Sequence, residues 1–275
     1  MITENASVLS NTRLTANLWQ IELAAQEIPE LVVPGQYVHL SIPARAEHIL
    51  RRPFSVHRVS VDVGDTNSLT LTYQVTGQLS QHMSELLPGD TCSLLGPLGQ
   101  GWRLPARSKR ALFVAGGVGW AALAMAAGSI AAFSVPTHIL IGARNADYIA
   151  AFAPGIDARP YPLNLYGSEA ETGQATVHIA TDDGSLGHHG MNTELLAGLL
   201  EQYEFDYIAT CGPEAMMEKV ASMAFERGIA CELSLERRMA CGMSACLSCT
   251  VKTRSGSKKV CSDGPVFDAR EIYHD

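Results

Sequence analysis

Ala111-Leu-Phe-Val-Ala-Gly-Gly-Val-Gly-Trp-Ala-Ala122 opens a long uncharged run, and two folds compete for it. No Asp, Glu, Lys or Arg occurs from Ala111 to Ala143, and Lys109-Arg110 stands just before it. A membrane span needs about 20 predominantly apolar residues, which this run could supply by length. Breakers interrupt it, however: Gly116-Gly117-Val118-Gly119, then Gly128, then Ser134, Pro136 and His138. They divide it into a strand, a glycine loop opening a small-residue helix, and a second strand. The expectation is a βαβ unit and no membrane span.

The same grammar continues downstream. Strands are expected at Thr137–Gly142, Ala175–Ala180 and Tyr207–Thr210, with helices over Asn192–Tyr203 and Pro213–Glu226. Strands alternating with helices imply a parallel α/β sheet. Upstream the pattern differs. Leu31–Ile42, Phe54–Val63 and Ser68–Val75 are β-rich runs separated by Pro-Gly and Gly-Asp turns, which suggests an antiparallel β-barrel or sandwich. Only Gln81–Leu87 reads as helical there, and Leu94–Gly101 reads as a turn-rich closing loop. The last forty or so residues are rich in cysteine. Three units are therefore expected: a barrel over 1–105, an α/β domain over 106–230 and a small module over 231–275.

Composition narrows the function classes. A net charge of −8 and the lack of a basic stripe argue against nucleic acid, because that affinity comes largely from Lys and Arg on phosphates. The N-terminus shows no basic stretch followed by an apolar run, so no export signal is expected and a cytoplasmic address follows. Seven cysteines, four of them close together, then read more readily as metal-binding than as a disulfide scaffold.

Several stretches carry chemistry. Gly116, Gly117, Val118 and Gly119 follow a strand and open a helix, where backbone N–H groups and bare glycines suit a phosphate. Gly117, Gly119 and Ala122 satisfy G-x-G-x-x-A, yet no acidic residue lies between Ala111 and Ala146, so the usual carboxylate partner of a ribose is missing. Arg52-Pro53-Phe54-Ser55 enters a strand with a cation and a hydroxyl in reach of a ligand; alone, such a string is more often a solvated strand end. In Gly77-Gln78-Leu79-Ser80, the serine reads as an N-cap or as a hydroxyl facing phosphate. Cys211-Gly212-Pro213 sits where a parallel strand ends, the edge at which α/β sheets bind ligands. Cys241, Cys246, Cys249 and Cys261 form C-x4-C-x2-C-x11-C. The first three match plant-type 2Fe-2S spacing. Zinc and disulfides stay open as alternatives, although zinc more often uses paired C-x2-C knuckles. Cys92 and Cys231 fit no such pattern and read as core.

Taken in order, these stretches resemble the ferredoxin-NADP reductase superfamily. Arg52-Pro53-Phe54-Ser55 matches its R-x-[aromatic or apolar]-S motif, Gly77 to Ser80 its G-x-x-S/T, Gly116 to Ala122 its G-G-x-G-x-x-P, and Cys211-Gly212-Pro213 its C-G-P. More narrowly, Ser234-Leu-Glu-Arg-Arg-Met-Ala-Cys-Gly-Met-Ser-Ala-Cys-Leu-Ser-Cys249 and Val260-Cys-Ser-Asp-Gly-Pro-Val-Phe-Asp268 look like the electron transfer subunits of type B dihydroorotate dehydrogenases. Ala180-Thr-Asp-Asp-Gly-Ser-Leu-Gly-His-His-Gly190 is similar to a segment of that family too. Leu79, where the family usually has glycine, and Ala122, in place of proline, depart from the pattern.

The resemblance implies a set of roles. FAD would lie on the barrel, with Arg52 at its pyrophosphate, Ser55 near the isoalloxazine, and the backbone of Thr72, Tyr73 and Gln74 along the flavin edge. Gly77, Leu79 and Ser80 would meet its phosphate, with Pro53 and Phe54 shaping the site. NAD(H) would bind over Gly116–Gly119 beside Gly212 and Pro213, with Cys211 in a catalytic position near the hydride path. A 2Fe-2S cluster on Cys241, Cys246, Cys249 and Cys261 would face a partner. Three units use up the chain and leave no room for a substrate barrel. Dihydroorotate would therefore be oxidised on a separate FMN-containing catalytic subunit, two of each chain forming a heterotetramer for pyrimidine biosynthesis. Rival readings are the small subunit of an NADPH–ferredoxin transhydrogenase or a sulfur or sulfite reductase, and a zinc-stapled interaction module. NAD against NADP stays open, since Arg144 after the second strand could meet a 2′-phosphate.

Overall fold

The computed structural model describes residues 1–45, 47, 49–61, 66–105, 108–132, 135–152, 161–162 and 174–273. Asp62 and Val63, the end of one expected strand, lie outside them. The first unit contains β1 (Ile2–Arg13), β2 (Leu18–Ala24), α1 (Ile28–Leu31), β3 (Tyr37–Ser41), β4 (Arg52–Ser55), β5 (Arg58–Ser60), β6 (Ser68–Gln74), α2 (Gln78–Met83) and β7 (Thr91–Leu98). Its strands pair antiparallel in the order β4-β3-β7-β1-β2-β6-β5.

Period-two alternation sends Val38 and Leu40 of β3 inward, onto Ile21, Leu23, Leu69 and Leu71. Tyr37 joins a different core. The two edges of the sheet are joined by adjacent residues: Val56 N–H donates to Gln36 O (3.2 Å) and His57 N–H to Thr70 O (2.9 Å). The result is a half-barrel, closed there by the chain itself.

Three local expectations shift. The strand expected from Leu31 starts only at Tyr37, because Ile28–Leu31 is helical and Pro34-Gly35 turns the chain, with Gly35 at φ 95°. The helix expected at Gln81 starts at Gln78, with Gly77 as its N-cap. Ser80 is therefore inside the helix, not its N-cap; its hydroxyl accepts from Thr76 N–H (3.0 Å) and Gly77 N–H (3.1 Å) and donates to Gly77 O (2.9 Å). Finally, Leu94–Leu98 belongs to β7 rather than to a loop. Gly96-Pro97 fits there because Tyr37 pairs with Leu98 and His39 with Leu95, so a bulge absorbs the proline.

The second sheet contains β8 (Ala111–Gly116), a 3-10 turn at Gly117–Gly119, α3 (Trp120–Ala132), β9 (Thr137–Ala143), α4 (Ala146–Phe152), β10 (Tyr161–Pro162), β11 (Gln174–Thr181), β12 (His188–His189), α5 (Asn192–Gln202), β13 (Tyr207–Cys211), α6 (Glu214–Glu226) and β14 (Ala230–Ser234). Then follow β15 (Thr250–Thr253), β16 (Gly256–Lys259), β17 (Val266–Asp268) and α7 (Ala269–Ile272). The order is β10-β11-β9-β8-β13-β14-β17, parallel from β11 to β14 and antiparallel at both ends. β8 is apolar throughout because both faces are covered. Phe113 packs in the core with α3, whereas Leu112 and Val114 pack in the core with α5 and α6. The uncharged run is thus strand, loop, helix and strand, and no described helix is long and apolar enough to cross a membrane.

The expected boundary between 230 and 231 falls inside β14. That strand and β17 are part of the parallel domain's sheet, so only the excursion between them stands apart. The barrel's exit also locks onto this domain: Trp102 Nε1–H donates to Ala122 O (2.9 Å).

Gly198, exposed within α5, has no atom within 4 Å of the place a side chain would begin. Gly198→Ala removes unfolded-state freedom at no steric cost and should stabilise the protein by about 0.5–1 kcal/mol. Chemical denaturation checks this; an unchanged or lower midpoint contradicts it.

Candidate functional site

Parallel strands end at one edge, and there β8, β9, β11, β13 and β14 deliver their loops. A Cβ on Gly119 would lie 2.3 Å from Cys211 O, and one on Gly212 would lie 2.9 Å from Gly116 Cα. Only glycine lets these two loops touch backbone to backbone. By contrast, nothing lies within 4 Å of a Cβ on Gly117, whose φ of 55° already favours glycine.

The two loops wall a cavity of about 820 Å³, within the range of small-molecule sites. Gly116–Gly119 and Gly212-Pro213 form one side. Gln74 closes it from the barrel, Arg144 and Asp182 stand after β9 and β11, and Glu236 and Arg237 follow β14.

Cys211 does not line this cavity. It is buried in the sheet core, and burial, with the nearby Glu236 charge adding, pushes its thiol far above the ordinary range. The expected catalytic position is thus a protonated wall support, and Gly212 and Pro213 present the surface.

On the barrel, the two adjacent arginines part ways. Arg51 reaches across to β7, where Nη1 donates to Ser93 O (2.6 Å) and Nη2 to Ser93 Oγ (2.8 Å). Arg52 is exposed and, among the described residues, donates only to the neighbouring carbonyls of Leu50 (3.0 Å) and Arg51 (3.2 Å). Pro53, Phe54 and Ser55 are half-buried, and the Phe54 ring meets Tyr73 edge-on at 6.1 Å. Side chains of β6 are committed inward. Tyr73 Oη–H donates to Asn11 Oδ1 (3.1 Å), while Thr72 Oγ1 bonds His57 Nδ1 (2.6 Å) and accepts from Gln20 Nε2 (3.2 Å). The ladder with β5 stops at Thr70, so among the described residues no strand lies beside Thr72–Gln74 on that side. Thr72 and Tyr73 can therefore offer a ligand backbone rather than side chain, while Gln74 faces the cavity. Leu79 is buried in the barrel core and offers no side chain either.

The cysteine loop turns on three left-handed residues, Gly242 (φ 69°), Ser244 (φ 66°) and Leu247 (φ 60°). Those turns aim amides at sulfur. Met243 N–H and Cys246 N–H donate to Cys241 Sγ (3.5 and 3.4 Å), and Cys261 N–H donates to Cys249 Sγ (3.4 Å). Hydrogen bonding, first from the Ser248 hydroxyl and then from backbone amides, brings the exposed Cys246 thiol down to about 6. Burial instead pushes Cys249 up.

The thiols thus fall into an outer pair, Cys241 and Cys246, and an inner pair, Cys249 and Cys261. Among the described residues no three Cys, His, Asp or Glu side chains converge as a single ion requires. All seven cysteines are unbridged.

Two residues with no motif signal complete the site. Tyr37 Oη–H donates to Cys261 O (3.1 Å), tying the inner pair to β3. His39, two residues on, is fully buried with both ring nitrogens unpartnered. Only the alternation in Tyr-Val-His-Leu hinted that both leave the barrel core together.

Comparison with known proteins agrees with this geometry. Residues 236–273 match the iron-sulfur cluster binding domain of dihydroorotate dehydrogenase B, and residues 3–102 match an oxidoreductase FAD-binding domain. A dihydroorotate dehydrogenase B (NAD(+)) electron transfer subunit from Desulforamulus reducens is 34% identical over 272 residues, 98% of this chain and 97% of that one. Its counterpart from Listeria monocytogenes serotype 4a is 33% identical over 278 residues, covering 99% of both chains. Among solved structures, an NADH-dependent reduced ferredoxin-NADP oxidoreductase superposes with a TM-score of 0.80 at 23% identity, over 98% of this chain and 89% of that one. That likeness shows a shared fold. Identity along the whole chain, with all four clustered cysteines inside the matched iron–sulfur domain, shows that the protein belongs to the family of dihydroorotate dehydrogenase B electron transfer subunits.

Proposed function

We propose that this chain relays electrons from an FMN-containing dihydroorotate dehydrogenase catalytic subunit to NAD⁺, in a complex with two of each chain. When bound, a 2Fe-2S cluster supplies one-electron transfer and FAD exchanges single electrons for hydride. The observation that carries this reading is one sheet edge on which the nucleotide cavity and the cysteine excursion both open, with the barrel's Gln74 in the cavity wall.

Each group has residues suited to it. Cys241 and Cys246 would hold one iron, and Cys249 and Cys261 the other. Arg52, free of any carboxylate among the described residues, would neutralise the FAD pyrophosphate. The open edge of β6 would hydrogen-bond the flavin through Thr72–Gln74, beside Pro53, Phe54 and Ser55, and Gly77 with Ser80 would border its phosphate. Gly116–Gly119, Gly212 and Pro213 would seat NAD(H), with Cys211 holding that wall from behind. Asp182 on the cavity wall supports NAD, since a carboxylate there repels a 2′-phosphate.

Exposure supports an outward-facing cluster. Cys246 is exposed and flanked by Met243 (52%) and Leu247 (62%), apolar side chains suited to a partner's surface. Unbridged cysteines accord with a reducing, cytoplasmic location. The transhydrogenase-like reading rests on fold alone, because the relatives named above at 33% and 34% identity are dihydroorotate dehydrogenase B subunits.

Mixing the purified chain with a type B catalytic subunit should confer dihydroorotate-dependent reduction of NAD⁺. A complex that carries FAD and cluster yet shows no such activity would favour another reductase partner. Cys246→Ser should abolish the paramagnetic signal of the reduced cluster while leaving FAD bound, because Cys246 is exposed and packs no core. Loss of FAD as well would refute that separation. Arg52→Ala should weaken FAD about 10- to 100-fold, the worth of a charge-assisted hydrogen bond of roughly 1.5–3 kcal/mol. Flavin fluorescence titration measures this, and an unchanged Kd removes Arg52 from the site.

A further inference from the structure

We infer that the His39 imidazole donates a hydrogen bond to a sulfur of the iron–sulfur cluster and so eases reduction of that cluster. The inference rests on the cluster assignment to Cys241, Cys246, Cys249 and Cys261.

The argument begins with unmet hydrogen bonds. Other buried histidines have partners: His57 Nδ1 bonds Thr72 Oγ1 (2.6 Å), and His138 Nδ1 bonds His178 Nε2 (3.0 Å). His39 is 0% exposed, and among the described residues neither Nδ1 nor Nε2 has a partner. A buried polar group left unpaired costs about 1–3 kcal/mol, so a group the chain itself does not supply is the natural partner.

Position identifies that group. A Cβ on Gly242 would lie 2.8 Å from His39 Cε1, 2.9 Å from Nδ1 and 3.0 Å from Nε2. These nearly equal distances place Gly242 over the face of the ring, so the imidazole lies against the cysteine loop next to Cys241. Gly242 is needed for the same reason, since any side chain there would strike the ring. Nearby polar groups are already engaged. Tyr37 Oη–H bonds Cys261 O, Met243 and Cys246 N–H bond Cys241 Sγ, and Arg51 bonds Ser93.

Burial, aided by Arg51 and Arg52, brings His39 down to about 4, so the neutral ring offers one N–H donor. An acceptor lying within the cysteine loop is sulfur. Reduction adds negative charge to the cluster, so a donor to its sulfurs stabilises the reduced state and raises its potential.

His39 also sits across the β3–β4 ladder from Pro53, in the strand that carries Arg52. One side chain is thereby wedged between the cysteine loop and the flavin motif.

Pulsed electron paramagnetic resonance on the reduced holoprotein, with ¹⁵N-imidazole histidine incorporated, tests this without a variant. Expected is one weak histidine-nitrogen coupling in the cluster signal. A normal cluster signal with no such coupling overturns the inference, and so does the strong coupling of a ligating histidine. Absence of any cluster signal overturns the cluster assignment itself and the inference with it. In His39→Phe the weak coupling should vanish and the cluster midpoint should fall, while the FAD midpoint and iron content stay unchanged. His39→Gln, which keeps a donor, should recover part of the shift. A midpoint unmoved in both variants also counts against it.

Discussion

Parallel pairing of β14 with β13 is the constraint on which the rest depends. Thr210 sits opposite Leu233, so the chain leaves β14 at the edge where β13 hands over to Gly212 and Pro213. Glu236 and Arg237 then line the cavity at once, and Cys241 follows a few residues later. An antiparallel β14 would have sent the cysteine excursion to the opposite edge. Its return is fixed as well. β17 pairs antiparallel with β14, Leu233 against Phe267, and Leu235 N–H donates to Pro265 O (2.9 Å) to close the neck.

The barrel grips that neck. Gln100 N–H donates to Gly264 O (2.6 Å), its Nε2 donates to Ser262 O (3.0 Å), and Tyr37 binds Cys261 O. A Cβ on Gly99 would fall 2.5 Å from Pro265 Cδ, so the contact is too close for a side chain. At the other end of the sheet, buried Glu232 accepts from Tyr207 Oη–H (2.8 Å) and Arg103 N–H (2.9 Å), fastening the barrel's exit to β13 and β14. Burial raises that carboxyl's pKa while the two donors oppose the rise. Cavity, barrel and cysteine loop are thus held in one arrangement by short polar contacts at places where apolar packing alone could slide.

Local patterns were legible in the sequence; long-range ones were not. The glycine loop and the cysteine spacing are contiguous signals, and both sit where expected, at a strand-to-helix turn and in a loop. β14 was hidden because Ala-Cys-Glu-Leu-Ser carries a charge and leads into the cysteine run, although Glu232 is buried by partners far away in sequence. Gly96-Pro97 reads as a turn until a bulge is known to hold it. Cys211 stands at a strand end, where a lone cysteine suits burial and only the C-G-P resemblance implies a place near the hydride path; Gly119 packs on its carbonyl and its thiol is buried. Tyr37 meets Cys261 across a separation of 224 residues, which no spacing rule anticipates.

The unequal environments of the two cysteine pairs give the loop a polarity. Amide donors converge on Cys241 and a hydroxyl on Cys246, and both are reached by solvent. Cys249 and Cys261 are buried against Val251, Val260 and Tyr37, and burial pushes the Cys249 thiol up. Iron held there would offset the cost of that burial and couple closure of the inner pair to loading of the loop. The outer pair is then the end open to a partner, and the inner pair is the end braced on the flavin barrel. In the proposed relay an electron would enter at the exposed end and leave toward the barrel, the direction in which the chain itself is packed.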